Sequence, residues 1–133
     1  MNIKGFKIIK DNIIEFSTKA GIGVGTWYRD TAEDDAKREH SIEFTIDQPL
    51  MIGTNAVIMT GNKKYFVSHD GRSTEFHGKV DGVDEDGLIY FRLGFDCLMM
   101  IENEDPQIKK GDWLSITLPV EYLRVFSIGS RPL

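Results

Sequence analysis

A chain of 133 residues that is 41% hydrophobic, 28% charged and 11% aromatic has enough apolar bulk for one packed core and too much for global disorder. Its single cysteine, Cys97, excludes an intrachain disulfide and favours a reducing, cytoplasmic setting. No stretch offers an uninterrupted apolar run of signal-peptide or membrane-span length, so a soluble protein away from membranes is expected.

The formal net charge of −5 is unevenly distributed: Asp81 to Asp105 holds eight acids against one base, Arg92, which leaves that segment at −7 and the remainder at +2. A concentrated acidic face repels phosphate backbones and speeds encounter with basic partners. The same charge also serves as a solvated surface that keeps a small β protein soluble.

Along the chain, Lys4 to Phe16 reads as a hairpin with Phe6, Ile8, Ile9, Ile13, Ile14 and Phe16 as its apolar content and Asp11-Asn12 as a two-residue turn. Ala20-Gly21-Ile22-Gly23-Val24-Gly25 has the glycine spacing of a dinucleotide loop, but the third glycine of that pattern falls on Thr26 and no helical periodicity follows. Glycines alternating with apolar residues describe a bent or bulged strand instead.

Arg29 to His40 is the one polar, helix-compatible stretch. Thr31 stands at an N-cap position, and Glu33/Lys37 and Asp34/Arg38 have the spacing of helix ion pairs. Only Ala32 and Ala36 offer an apolar face, so an exposed loop or a short, mobile helix is expected. Its length for a β connection makes it a candidate functional loop.

From Ser41 the alternation is clean, with Ile42, Phe44 and Ile46 on one face and Glu43, Thr45 and Asp47 on the other, until Pro49. Strands at Ala56 to Met59 and Tyr65 to Val67 follow around Gly61-Asn62, then a turn at Asp70-Gly71, in the order of a β-meander. Phe76 to Val80, the acidic turn Asp81 to Gly87, and Leu88 to Phe95 make a strand-turn-strand unit, with Ile89, Phe91, Leu93 and Phe95 on one face. A loop around Glu102 to Gly111 leads to Trp113 to Leu118. Pro119 ends that strand, Val120 to Leu123 makes a helical turn, and Arg124 to Ile128 closes the chain. These elements specify an all-β fold over residues 1–133: a single small antiparallel β-barrel or sandwich with at most one short helix.

Few residues select a chemistry. An EF-hand loop placed on the acidic turn lacks its first and last ligands, which fall on Gly82 and Leu93; a looser calcium site would use Asp81, Asp84 and Asp86. His40, His69 and His77 lie far apart or at strand spacings, so no compact zinc signature exists. Cys97, between Asp96 and Leu98-Met99-Met100, reads as a small buried residue rather than a nucleophile. No cofactor or metal is implied, and a non-enzymatic protein is expected.

Gly78-Lys79-Val80-Asp81-Gly82-Val83-Asp84-Glu85-Asp86-Gly87-Leu88, followed by Gly111-Asp112-Trp113-Leu114-Ser115-Ile116, resembles the strand-turn-strand and closing strand of PilZ-type barrels, which bind cyclic dinucleotides. The resemblance implies a small barrel. The family's turn uses an Asp or Asn and a Ser where this chain has Gly82 and Asp84, and no second arginine follows Arg38 four residues on. A carboxylate in that turn opposes a dianion.

Two function classes follow. The first is an acidic module that docks on a basic protein, comparable in size and charge to immunity proteins that occlude the basic clefts of bacterial nuclease toxins. Its contacts would be Asp81, Asp84, Glu85, Asp86, Glu102, Glu104 and Asp105, with Tyr90 and Trp113 as aromatic anchors. The alternative is a degenerate PilZ-like or OB-like domain that binds a cyclic dinucleotide or single-stranded nucleic acid through Arg29, Arg38, Lys63 and Lys64. The shortage of basic residues around the central aromatics counts against nucleic acid.

Overall fold

A computed structural model describes residues 1–133. Its elements are β1 (Asn2–Lys4), β2 (Lys7–Lys10), β3 (Ile13–Thr18), β4 (Gly21–Trp27), α1 (Ala32–Asp35), β5 (Arg38–Ile46), β6 (Ala56–Ile58), β7 (Phe66–His69), β8 (Ser73–Val83), β9 (Leu88–Gly94), β10 (Cys97–Glu102), β11 (Trp113–Pro119), a 3-10 turn over Val120–Tyr122, and β12 (Leu123–Pro132). The fold is all-β, as the alternation requires. One sheet curls into a half-barrel in the order β1-β5-β12-β4-β7-β8-β11-β6, with the β2–β3 hairpin on β4 and the β9–β10 hairpin on β8.

Several local expectations change in three dimensions. Most ladders are antiparallel, but β4 runs parallel to both β12 and β7, so the sheet is mixed and its order is not a meander. The strands flanking Gly61-Asn62 do not pair with each other: β6 pairs with β11 and β7 with β8. The final strand extends from Leu123 to Pro132 because β5 offers it a partner along nearly its whole length. A strand also forms at Cys97–Glu102, where the sequence reading placed none.

The glycines of β4 allow the curl. Gly21 has φ +142° and lies so close to β7 that a Cβ there would sit 1.8 Å from the Val67 carbonyl oxygen. Gly23 faces Phe16 across the β3–β4 ladder, and a Cβ would meet that ring at 2.6 Å. Glycine is needed where another chain or ring approaches the backbone this closely.

Strand β4 then changes partner, from β7 at Gly21 to β12 at Thr26. Between these points the buried Thr74 hydroxyl accepts from the Val24 N–H at 2.8 Å and donates to the Val24 carbonyl at 2.7 Å. One side chain thereby replaces two missing ladder bonds, which would otherwise be buried and unpaired.

A continuous core fills the concave side. Phe16, Phe44 and Phe76 form an aromatic chain, tilted from Phe16 to Phe44 and edge-to-face from Phe44 to Phe76, with centroid separations of 5.4 and 5.6 Å. On the open side, β10 packs beside β5 without a shared ladder. The seam is pinned at its ends: the Met1 amino group donates to the Asp96 carbonyl while Ile42 N–H bonds Met1, and Leu50 N–H donates to the Glu102 carbonyl.

Within Arg29 to His40, α1 is only four residues long and β5 already begins at Arg38; the helix ion pairs expected at Glu33/Lys37 and Asp34/Arg38 do not form. Its chemistry is turned inward. The buried Asp35 carboxylate accepts from Trp27 Nε1 at 2.9 Å and Thr31 Oγ1 at 2.6 Å. Burial pushes this carboxyl up, but the bonds from Thr31 and Trp27 and the fields of Arg29 and His40 outweigh it and hold the group below its ordinary value. The segment therefore anchors the Trp27 indole and sets Ala32 in the core.

Candidate partner-binding face

The acidic turn between β8 and β9 is built around Asp84. Its Oδ1 accepts from the Asp86 and Leu88 backbone N–H groups, both at 2.9 Å, and its Oδ2 accepts from the Tyr90 hydroxyl at 3.1 Å. The hydrogen bond to Asp84, the charge of that carboxylate, burial and the charge of Asp86 together raise the Tyr90 phenol above its ordinary pKa. Asp81 sits on a bulge of β8 and bonds Arg92 Nε at 2.5 Å. These two carboxylates shape the turn, and they leave Glu85 and Asp86 as its exposed acids.

The second acidic group, at the end of β10, is also wired from within. Asp105 is buried, with Oδ2 accepting from Ile52 N–H at 3.0 Å and Oδ1 from Gln107 N–H at 2.9 Å. Asn103 bonds both the N–H and the carbonyl of Asp105, each at 2.9 Å. Glu104 N–H donates to Leu50. The result is a fixed loop from which Glu102 and Glu104 project into solvent.

The β9–β10 ladder brings the two groups together. Leu88 pairs with Glu102 across it, and Gly87 lies against the Asn103 carbonyl. Four exposed carboxylates, Glu85, Asp86, Glu102 and Glu104, none with a side-chain partner inside the fold, therefore gather at one end of the half-barrel. Their backbone is held by the turns, so on meeting a cation only side-chain freedom is lost.

The outward face of β10 adjoins this end. Leu98 and Met100 are 44% and 61% exposed, and Met100 pairs with Tyr90 across the ladder. Because the Leu50 N–H reaches the Glu102 carbonyl, the alternation of the strand turns the backbone groups of Met100 and Leu98 away from β9, toward the seam with β5. An apolar stripe with an acidic rim has the layout of a docking surface, an apolar centre bordered by charge. Trp113 stands apart from it, half-buried on β11 and stacked on Tyr65 at 5.2 Å between centroids. Tyr90 is thus the anchor that this face presents, and Trp113 is not brought to it.

Leu98 and Met100 escaped the sequence reading; of its acidic residues, Glu85, Asp86, Glu102 and Glu104 are exposed at this end, whereas Asp81, Asp84 and Asp105 are taken up by hydrogen bonds within the fold. The cations of the ligand-binding alternative are dispersed. Arg29 lies over the Tyr28 ring with its Nε donating to the phenol, Arg38 Nε donates to Ser130 at 3.3 Å, and Lys63 and Lys64 extend from the loop before β7.

The histidines are each occupied. His69 meets Glu15 at 2.8 Å, and His77 meets Glu75 at 2.9 Å. His40 directs Nε2 at the Asp35 carbonyl at 2.7 Å and Nδ1 at Ser127 Oγ at 2.9 Å. The last pair has the contacts of a base and a nucleophile, but the imidazole is only 1% exposed and neither residue lines a main cleft. Burial pushes the Cys97 thiol up to about 11, opposite to what a nucleophile needs. No three His, Cys, Asp or Glu side chains are grouped to hold a metal ion, and no helix is long and apolar enough to cross a membrane.

Comparison with family models, curated proteins and solved structures returns no match for this chain.

Proposed function

We propose that the protein is a non-enzymatic binding module that docks on a basic protein through the outer face of β9 and β10, with Tyr90, Leu98 and Met100 at the centre and Glu85, Asp86, Glu102 and Glu104 at the rim. The observation that carries this reading is the convergence of two acidic loops, distant in sequence, beside an exposed apolar stripe. Its action is occlusion, without turnover. A partner whose own site attracts phosphate, such as a nuclease toxin, presents the complementary charge, and covering that site inhibits it as an immunity protein does.

The rim and the centre make separable contributions. Rim carboxylates steer encounter and are screened by salt, whereas the apolar centre sets residence time once water is expelled. The test immobilises the wild-type chain and two variants in native-host extract: Glu102→Lys/Glu104→Lys for the rim and Met100→Glu for the centre. A basic protein retained by the wild type, eluted by salt and lost from both variants supports the reading. A bound set that is unchanged in both variants refutes it.

A further inference from the structure

The opposite mouth of the half-barrel has a different chemistry. There the β9–β10 hairpin tip, the β3–β4 turn, the loop before β7 and the start of β1 enclose a cleft of about 610 Å³, a size that suits a small organic ligand. Its walls include Tyr65, Leu93 and Ala20, and its rim includes Phe95, Lys19 and Lys64. Neither lysine has a carboxylate partner. The one carboxylate at the cleft, Asp96, lies 3.9 Å from the Met1 ammonium, which offsets its charge.

Phe95 is the second indication. It is 100% exposed, the most solvated large apolar side chain in the molecule, and leaving a phenyl ring in water forgoes about 2 kcal/mol of burial. The tip that bears it is also braced. Asp81 holds Arg92, and Arg92 Nη1 donates to the carbonyls of Gly94 at 3.2 Å and Phe95 at 3.4 Å. Tyr65, on the other side of the cleft, is fixed by its stack on Trp113. A fixed aromatic ring, a second ring on a braced backbone and two ammonium groups thus lie at one cleft.

The acidic end does not cancel these cations. Five residue steps from Cys97 to Glu102 at roughly 3.3 Å each separate the two ends by about 17 Å, about twice the screening length of about 8 Å at physiological salt.

We propose that this cleft binds a small aromatic anion, its ring against Tyr65 and Phe95 and its carboxylate or phosphate within reach of Lys19 and Lys64. Ring stacking supplies an apolar contact that tolerates different planar groups, and the two ammonium groups select against neutral analogues. The site is distinct from the docking face, and its test does not depend on any protein partner.

The experiment uses the full chain and the fluorescent anion 8-anilinonaphthalene-1-sulfonate. Competitors are a naphthoate as aromatic carboxylate and adenosine monophosphate as aromatic phosphate, each paired with its neutral counterpart, naphthamide and adenosine. Saturable binding is expected, displaced by one of the anions and not by its neutral partner; the effective competitor tells carboxylate from phosphate. Lys19→Gln/Lys64→Gln and Phe95→Ser should each weaken binding by about tenfold or more, while Glu102→Gln/Glu104→Gln at the far end leaves it unchanged. All these side chains are exposed, and near-ultraviolet dichroism checks that each variant is folded. Binding that is insensitive to the lysine and phenylalanine substitutions, equal displacement by neutral compounds, or no saturable binding to the folded wild type overturns the proposal.

Discussion

Replacing Thr74 with valine keeps the shape of the side chain and deletes its hydroxyl. In the native structure that hydroxyl is the partner of both the N–H and the carbonyl of Val24, at 2.8 and 2.7 Å, in a residue with no solvent exposure. Each buried backbone group left unpaired costs about 1–3 kcal/mol, so Thr74→Val should destabilise the fold by about 2–5 kcal/mol. That is a large part of the roughly 5–15 kcal/mol available to a domain. In urea, with a slope of about 1.5 kcal/mol per molar, the midpoint should fall by about 1.3–3.3 M. Thr74→Ser retains both bonds and loses one methyl group, for about 1 kcal/mol. Thr45→Val, exposed on β5, should change stability by less than about 0.5 kcal/mol. Equilibrium denaturation followed by Trp27 and Trp113 fluorescence measures all three. If valine costs less than serine, the hydroxyl is not what bridges the change of partner along β4, and the account of how the sheet curls fails.

Three further predictions concern ionisable groups. Asp35→Ala should cost about 2–3 kcal/mol at neutral pH by removing the acceptor of Trp27 and Thr31; because the native carboxyl lies below its ordinary value of 3.8, this stability is present above that value and lost as pH falls through the native pKa, so wild type and variant should converge in acid melts. Cys97 in the native state titrates near 11 against an ordinary 9.0, so its thiolate fraction at pH about 8 is about a hundredfold lower than in the unfolded chain, and reaction with a disulfide reagent should slow accordingly. The same raised pKa makes its stability contribution complete below about pH 9 and lost as pH rises toward 11, a loss that Cys97→Ala should not show. Asp84→Ala removes the acceptor and the charge beside Tyr90, so ultraviolet titration should show that phenol ionising at lower pH than in the wild type, toward its ordinary 10.0.

The sequence revealed what depends on neighbours along the chain. Ile42, Phe44 and Ile46 are buried while Glu43, Thr45 and Asp47 are exposed, as the period of two requires. The turns at Asp11-Asn12 and Asp70-Gly71 form, the latter with Asp70 Oδ1 accepting from the Arg72 and Ser73 N–H groups. Strand partners were not legible. Nothing local in Gly21 or Thr26 indicates that they bond to β7 and β12, because those partners lie about 46 and 98 residues further along the chain. Nor does composition separate an acid that shapes a turn from one that waits for a partner. Asp84 and Asp105 share a segment with Glu85 and Glu104, but the short Asp side chain reaches nearby backbone N–H groups and is drawn inward, whereas the longer Glu side chains remain in solvent.

The misreading of β10 has a physical cause that bears on function. A half-buried strand is recognised by apolar residues alternating with polar ones. In Cys97-Leu98-Met99-Met100-Ile101 the outward residues Leu98 and Met100 are as apolar as the inward Cys97, Met99 and Ile101, so the period disappears. Phe95 deceives for a related reason. It continues the buried series Ile89, Phe91 and Leu93, but Gly94, at φ +147°, ends the strand and turns the ring into solvent. A sequence selected only for solubility would place polar groups at these three positions at no cost to the core. Their apolar character lies on a single hairpin, with unpaired carboxylates at one end and unpaired lysines at the other. The hairpin that conceals its strand from sequence reading is therefore where both proposed contacts meet the fold.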